Sequence, residues 1–342
     1  MMLSLRTIAL GAALAAAFFS ACTYKTDVPI EFPTPPPLPP ATPAPELKIK
    51  PDGDLEKQIA KIAEEAKGKV GVAAVVIETG ESAMFNADRH YPMQSVYKLP
   101  ISMAIMEQVR LGKLDLDEKI GVTKDDMVRE GQRSPLRDKN PNGGEFTIRE
   151  LMQYTMVESD GSASDVLMRV AGGADDVQAF LTQIGVRDLK VVNSEKEIGR
   201  DWQTQYDNWA TPLAAIEVLR WLNAAIAGCG CSETEAHTAY NVDDARVLTD
   251  IRLLTKFMVD SNPGEMRLKR LLPKGTIIAH KTGTGGIQNG VTSATNDIGL
   301  IELPNGKHLA VAVFVSDSAA DEKTREAVIA KIGKTVWDKW KQ

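Results

Sequence analysis

The sequence is poor in the residues on which several large classes of protein depend. Among 342 residues there are four histidines, and none stands at the His-x-His or His-Glu-x-x-His spacing that zinc sites use. Positive charge is also in deficit, since the net charge is −6, and this argues against nucleic acid as a partner. We therefore expect no metal, no cofactor and no nucleic acid.

The chain also lacks an N-terminal apolar run that is long enough to span a bilayer. The run at residues 8–19 follows Arg6 and has the shape of a secretory signal. The next residues, Ser20 and Ala21, are small and lead to Cys22. This end resembles a bacterial lipoprotein signal, in which the cysteine carries lipid after cleavage; ordinary cleavage nearby is the alternative. The resemblance implies export to the periplasm or cell surface, with Cys22 as the only membrane anchor.

Cysteine is otherwise almost absent. Only Cys229 and Cys231 remain, in the stretch AGCGCSE. An exported chain tolerates disulfides, but the ring that a Cys-x-Cys bridge closes is tight. A bridge and two free thiols in a surface loop both stay open.

Proline, by contrast, is concentrated in one segment. Residues 29–45, PIEFPTPPPLPPATPAP, contain nine prolines. Such a segment cannot bury a core and favours extended polyproline II, with a reach of about 50 Å at ~3.1 Å per residue. We therefore predict a signal segment at 1–22, a linker at 23–46 and a folded domain at 47–342.

The folded part has strand patterns at both ends and helical patterns between them. Strands are predicted in KVGVAAVVIETGE, SAMFNADRHY, GTIIAHKTG, NDIGLIEL and HLAVAVFVSD, whereas a helix is predicted over 96–111. This order predicts an α+β sandwich, with one antiparallel sheet of about five strands, flanking helices and an inserted helical lobe. We place the sheet lobe at 47–92 and 270–342 and the helical lobe at 93–269. A site is expected in a cleft between the lobes. The protein is expected to be a monomer.

The stretch MQSVYKLPIS places a lysine three residues after a serine, where an apolar helix begins. Residues three apart share a helix face, so Lys98 is expected beside the Ser95 hydroxyl. Burying an amine there costs free energy, but a buried amine can act as the base for a serine nucleophile. A lone Ser-x-x-Lys is nevertheless a weak signal, because Ser95 alone is more often a helix cap.

Three further stretches carry chemistry. VESDGSAS places Ser159 and Gly161 after a helix, AHKTGTGG places Lys281 at the end of a strand, and VVNSEKEIGRDW places Glu195 between two helices. Each alone is typical of a cap, a turn or a solvated surface. Their occurrence together and in this order favours catalysis.

These motifs resemble those of the class A serine β-lactamases over residues 53–341, and SPLRDKNPNGGEFTIRELMQYTMVESD and DWQTQYDNWATP resemble the extended-spectrum branch. The resemblance implies hydrolysis of the β-lactam amide bond. Its implied catalytic residues are Ser95, Lys98, Ser159, Glu195 and Lys281. The backbone N–H groups of Ser95 and Thr284 would form the oxyanion hole. The implied substrate-binding residues are Gly161, Thr282, Gly283 and Thr284.

The pattern departs from that family at two positions. Gly161 and Gly199 stand where the family usually has Asn, and the second Asn helps to hold the hydrolytic water. A missing amide removes hydrogen bonds, so Gly161→Asn is predicted to strengthen binding of substrates that carry an acylamido group.

Two other functions stay open at this point. A D-alanyl-D-alanine peptidase shares the serine and lysine motifs but usually lacks a water-activating acid where Glu195 stands. A non-catalytic, cell-wall-binding lipoprotein could retain the old pocket. Tyr97, Trp202 and Trp209 are expected to pack, and His280 is expected to be a sheet residue rather than a base.

Overall fold

The computed structural model of the protein describes residues 41–227 and 245–342. These residues belong to one compact unit. Cys22, Cys229 and Cys231 lie outside the described residues, as do the predicted signal segment and most of the linker. The helices are α1 (Gly53–Ala63), α2 (Lys98–Arg110), α3 (Pro135–Lys139), α4 (Ile148–Val157), α5 (Gly161–Val170), α6 (Ala174–Gln183), α7 (Glu195–Ile198), α8 (Pro212–Ala227), α9 (Ala245–Val259) and α10 (Glu322–Trp340).

The strands of the described residues form three sheets, of which the largest has seven members. They are β1 (Lys50–Pro51), β2 (Lys69–Val76), β3 (Glu81–Phe85), β4 (Tyr91–Pro92), β5 (Lys119–Val122), β6 (Gly144–Thr147), β7 (Leu189–Lys190), β8 (Trp209–Ala210), β9 (Ile278–Thr284), β10 (Ile287–Gln288), β11 (Val291–Glu302) and β12 (His308–Ser318). The large sheet runs β1-β3-β2-β12-β11-β10, and β9 also pairs with β11. Both ends of the described folded part contribute to it, and among its described strands only β1 pairs in parallel. The predicted five-stranded antiparallel sheet is confirmed as β2, β3, β9, β11 and β12.

Alternation along the central strands divides the interior into two cores. On β12, Ala310, Ala312 and Phe314 belong to the core shared with the helical lobe. Val311, Val313 and Val315 face the other way, into the core with α1 and α10. Because successive side chains of a strand point to opposite faces, one strand serves both layers. Because both faces of β12 are buried, its sequence is a nearly continuous apolar run.

The helical lobe is built around α2, whose Leu99, Ile101, Met103 and Ile105 are fully buried. The predicted helix over 96–111 is confirmed, with one difference at its start. A 3-10 turn, Gln94–Tyr97, precedes α2, so Ser95 lies in that turn rather than in the α-helix.

The last residues of the proline-rich segment lie against this lobe. Ala41 N donates to Glu107 Oε1 at 3.0 Å, and Gln183 Nε2 donates to Ala41 O at 2.9 Å. Trp221 Nε1 donates to Thr42 O at 3.1 Å. The predicted segment boundaries stay predictions. Among the described residues, no helix is both long and apolar enough to cross a bilayer.

Candidate active site

The turn that carries Ser95 is fastened to the sheet. Asn296 Nδ2, on β11, donates to Pro92 O at 2.8 Å and to Met93 O at 3.1 Å. A Cβ on Gly283 would lie 2.3 Å from Met93 O, so only glycine lets β9 approach this closely. Gln94, next to Ser95, has φ of +48°, a left-handed conformation that costs a non-glycine residue about 1–3 kcal/mol. The surrounding bonds hold Ser95 in a turn that the chain would not otherwise adopt.

Lys98 lies one turn after Ser95 and is 1% exposed. Its Nζ donates to Ser159 O at 2.9 Å and lies 3.2 Å from Glu195 Oε2. A buried amine requires such partners, because an unpaired polar group away from water is costly. Lys98 therefore joins the segments that carry Ser159 and Glu195.

Glu195 begins the short helix α7, and its side chain is 17% exposed. Tyr97 OH donates to Glu195 Oε2 at 3.2 Å. Burial first, and then the charges of Glu195 and Asp165, raise the pKa of Tyr97 well above its usual value. The phenol therefore stays a donor to the carboxylate at any pH at which proteins normally work.

Asp165, on α5, holds the main chain at the start of α7. Its Oδ1 accepts from Glu195 N at 2.6 Å and its Oδ2 accepts from Lys196 N at 3.0 Å. Burial raises the pKa of Asp165 to about 7 although these two bonds act in the opposite direction. The helix that contains Glu195 is thus anchored by a carboxyl group that titrates near neutrality.

Lys281 and Ser159 meet on the other side of the cavity. Lys281 is fully buried on β9, and its Nζ donates to Ser159 Oγ at 2.9 Å. Burial, with the charge of Lys98 in addition, lowers the pKa of Lys281 well below its usual value. Ser159 has φ of +55°, and the following Asp160 caps α5 by accepting from Ala163 N at 2.9 Å.

One cavity of about 590 Å³ brings these segments together. Its lining includes five of the predicted site residues, Ser95, Ser159, Glu195, Thr282 and Thr284. Four others, Lys98, Gly161, Lys281 and Gly283, are buried beside it. Trp202 also lines the cavity, and it packs edge-on against Tyr206, as expected.

The two unusual glycines each adjoin another residue of the site. A Cβ on Gly161 would lie 2.7 Å from Glu195 Cγ, and Gly161 N donates to Arg133 O at 2.9 Å. A Cβ on Gly199 would lie 2.3 Å from Gln132 Nε2. The substitution Gly161→Asn would therefore have to move Glu195, a cost that the residue pattern could not reveal.

Sequence reasoning missed Arg267, which is 4% exposed beside β9. Its Nη1 donates to Gly283 O at 3.1 Å, and its Nη2 donates to Thr284 Oγ1 at 2.7 Å. Glu326 lies 3.2 Å from Arg267 Nε and balances the charge. A single arginine between helix and strand has no periodic signal that could have identified it.

His280 is the buried sheet residue that was expected. It lies on β9, and its Nδ1 is 2.9 Å from Asp297 Oδ1 on the neighbouring strand. No group of His, Cys, Asp and Glu side chains in the described part of the chain could hold a metal ion.

Helices on both faces of an antiparallel sheet form the fold of the class A β-lactamases, and an ancestral class A β-lactamase superposes with a TM-score of 0.71 at 28% identity, over 84% of this chain and 100% of that one. The chain belongs to the β-lactamase enzyme family, whose family model matches residues 54–340. It is therefore an enzyme, and it is similar to extended-spectrum members of its class.

Two curated relatives are β-lactamases of Pseudomonas aeruginosa. The chain is 35% identical to β-lactamase VEB-1 over 83% of this chain and 90% of that relative. It is 38% identical to the extended-spectrum β-lactamase PER-1 over 83% of this chain and 86% of that relative. The crystal structure of the TLA-3 extended-spectrum β-lactamase superposes with a TM-score of 0.76 at 36% identity, over 85% of this chain and 99% of that one.

Proposed function

We propose that the protein hydrolyses β-lactams through an acyl-enzyme on Ser95, which water activated by Glu195 then releases. One observation carries the proposal. Lys98 Nζ contacts Ser159 O at 2.9 Å and Glu195 Oε2 at 3.2 Å, so one buried amine joins all three segments around the Ser95 turn.

In the first half of the reaction, Ser95 Oγ attacks the β-lactam carbonyl carbon. The hydroxyl proton passes to Lys98 or to Glu195, and both assignments stay open. The oxyanion that forms accepts from the backbone N–H groups of Ser95 and Thr284. The C–N bond then breaks, and the nitrogen takes a proton from Ser159 Oγ, which Lys281 holds in place. Ser159 receives in turn the proton that left Ser95, so Lys98, Glu195 and Lys281 end this half in the protonation states in which they began.

In the second half, a water molecule gives a proton to Glu195 and attacks the ester carbon. The ester C–O bond breaks, Ser95 recovers its proton, and a ring-opened acid leaves. Thr282, Gly283, Thr284 and Gly161 are proposed to hold the substrate. Arg267 supports this role, because its bond to Thr284 Oγ1 fixes the direction of that hydroxyl.

We further propose that the enzyme is exported and works as a monomer, tethered through a lipid on Cys22. The arrangement of the N-terminal residues 1–22 and the proline-rich segment that follows support this proposal. Metabolic labelling of wild type and Cys22→Ala with a fatty-acid probe tests the anchor. Label on both proteins, or on neither, would show that Cys22 is not lipidated.

Hydrolysis of a chromogenic cephalosporin tests the mechanism. Ser95→Ala is expected to abolish turnover, and Glu195→Gln is expected to stall as an acyl adduct that intact-protein mass spectrometry detects. A long-lived adduct on the wild type would instead indicate a peptidase. The absence of both turnover and adduct on the wild type would indicate a binding protein.

A further inference from the structure

Gln132 fills a space that a side chain at position 199 would otherwise occupy. A Cβ on Gly199 would lie 2.3 Å from Gln132 Nε2 and 2.9 Å from Gln132 Oε1. The two residues come from different segments, and both line the cavity that contains Ser95 and Glu195. A glycine at 199 is therefore what allows the amide of Gln132 to enter.

The same amide is bonded to the main chain of the proposed water-activating residue. Gln132 Nε2 donates to Glu195 O, which also accepts from Gly199 N at 3.1 Å. Because a carbonyl oxygen can only accept, this contact fixes which end of the amide is nitrogen. Gln132 thus holds the single turn of α7 through a side-chain hydrogen bond from another segment.

The other end of the amide has an unmet hydrogen bond. Gln132 Oε1 is buried, and no described residue donates to it. A buried acceptor without a protein donor costs free energy, so the amide is favoured over an apolar side chain of the same volume only through the bond from Nε2 to Glu195 O. The polar group at this place therefore has a use other than filling space.

We propose that Gln132 is a positioning residue for deacylation. From a neighbouring segment it supplies the amide that the Glu195 segment lacks at Gly199, and it holds the main chain that directs the Glu195 carboxylate. The proposal rests on the function proposed above. With Lys98 as the base for acylation, that half-reaction does not depend on this contact.

Steady-state kinetics can separate the two half-reactions. When deacylation alone slows, kcat and KM fall together and kcat/KM stays constant. We expect Gln132→Ala to lower kcat about tenfold, the loss of roughly one hydrogen bond, and to accumulate acyl-enzyme in mass spectra. Gln132→Met, which fills the space without the bond, is expected to behave in the same way.

The matched control removes an amide from another part of the fold. Gln108 Nε2 donates to Ala171 O at 2.7 Å, away from the cavity. Gln108→Ala is expected to leave kcat and the acyl-enzyme fraction unchanged. The double variant Gln132→Ala/Gly199→Asn returns an amide to the Glu195 segment and is expected to recover part of the lost kcat.

Glu195→Gln, measured in parallel, distinguishes the two levels of the proposal. If Glu195→Gln stalls while Gln132→Ala turns over like the wild type, or loses kcat and kcat/KM equally without an adduct, the role of Gln132 is wrong. If Glu195→Gln itself turns over like the wild type, the proposed function is wrong and this inference fails with it.

Discussion

The two walls of the cavity are built in different ways. The sheet wall is the end of β9 at 281–284, and the loop wall consists of the segments 195–199 and 131–133. Every residue of the sheet wall is paired with β11, in a register that extends from Thr284 opposite Thr295 to Lys281 opposite Ile298. The loop wall is held by bonds from single side chains, among them those of Asp165 and Gln132.

This difference determines whether a substitution moves the main chain or removes only a side-chain group. A ladder distributes its bonds over many residues, so changing one side chain of the sheet wall leaves the backbone in place. A main chain held by two or three side chains moves when one of them is lost. We therefore expect variants of the sheet wall to change acylation directly, and variants around the loop wall to change deacylation through the position of Glu195.

The largest effect should come from the sheet wall. Lys281→Met removes the donor that holds Ser159 Oγ at 2.9 Å while keeping a long side chain on β9. Loss of a positioned proton carrier typically costs 10²–10⁴-fold in rate, so kcat/KM should fall by about two to three orders of magnitude. The fall in kcat/KM is measured by steady-state hydrolysis of a penicillin and a cephalosporin.

Lys274→Met is the matched control, since Lys274 is an exposed lysine a few residues earlier in the chain. It should leave kcat/KM unchanged. The contrast between the walls would break down if Lys281→Met lowered kcat, left kcat/KM intact and accumulated acyl-enzyme, because that pattern belongs to the loop wall.

The same contrast explains what the sequence could predict. The strand predicted in GTIIAHKTG located β9 and therefore Lys281, and the Ser-x-x-Lys spacing placed Lys98 one turn after Ser95. The bonds from Tyr97 OH, Asp165 and Arg267 could not be predicted, because each joins one side chain to a group many residues away. Such contacts have no periodicity, and Tyr97 was expected only to pack.

An intermediate effect is expected at Gly161, beneath the loop wall. Any side chain there would bring its Cβ to 2.7 Å from Glu195 Cγ, closer than atoms pack. We expect Gly161→Asn to displace the carboxylate and to lower kcat about tenfold, with little change in kcat/KM. This outcome would replace the prediction of tighter binding that the residue pattern gave.

Gly161→Ala isolates the effect of the Cβ from that of the amide. It should slow deacylation by a similar factor, which rapid-quench mass spectrometry of the acyl-enzyme can follow. Faster deacylation in either variant, or stronger binding with kcat unchanged, would show that Glu195 tolerates the added atom.

The smallest effect on turnover is expected at Asp165. Asp165→Asn keeps one acceptor oxygen for the two N–H groups of Glu195 and Lys196, so it should cost less than tenfold in kcat. Its distinctive signature is in the pH dependence of stability rather than in the rate.

The sign of that dependence follows from the raised pKa of Asp165. Burial raises this pKa from 3.8 to about 7, so between these values the folded state binds the proton and the unfolded state does not. The contribution of Asp165 to the free energy of unfolding is then fully present below pH ~4 and is lost as pH rises through about 7. The free energy of unfolding of the wild type, minus that of Asp165→Asn, should therefore fall between pH 4 and 7 and level off above pH ~8. Urea titrations at four pH values measure this difference in the free energy of unfolding. A difference that rose with pH would mean that the folded protein stabilises the Asp165 anion. The loop wall would then be anchored by charge.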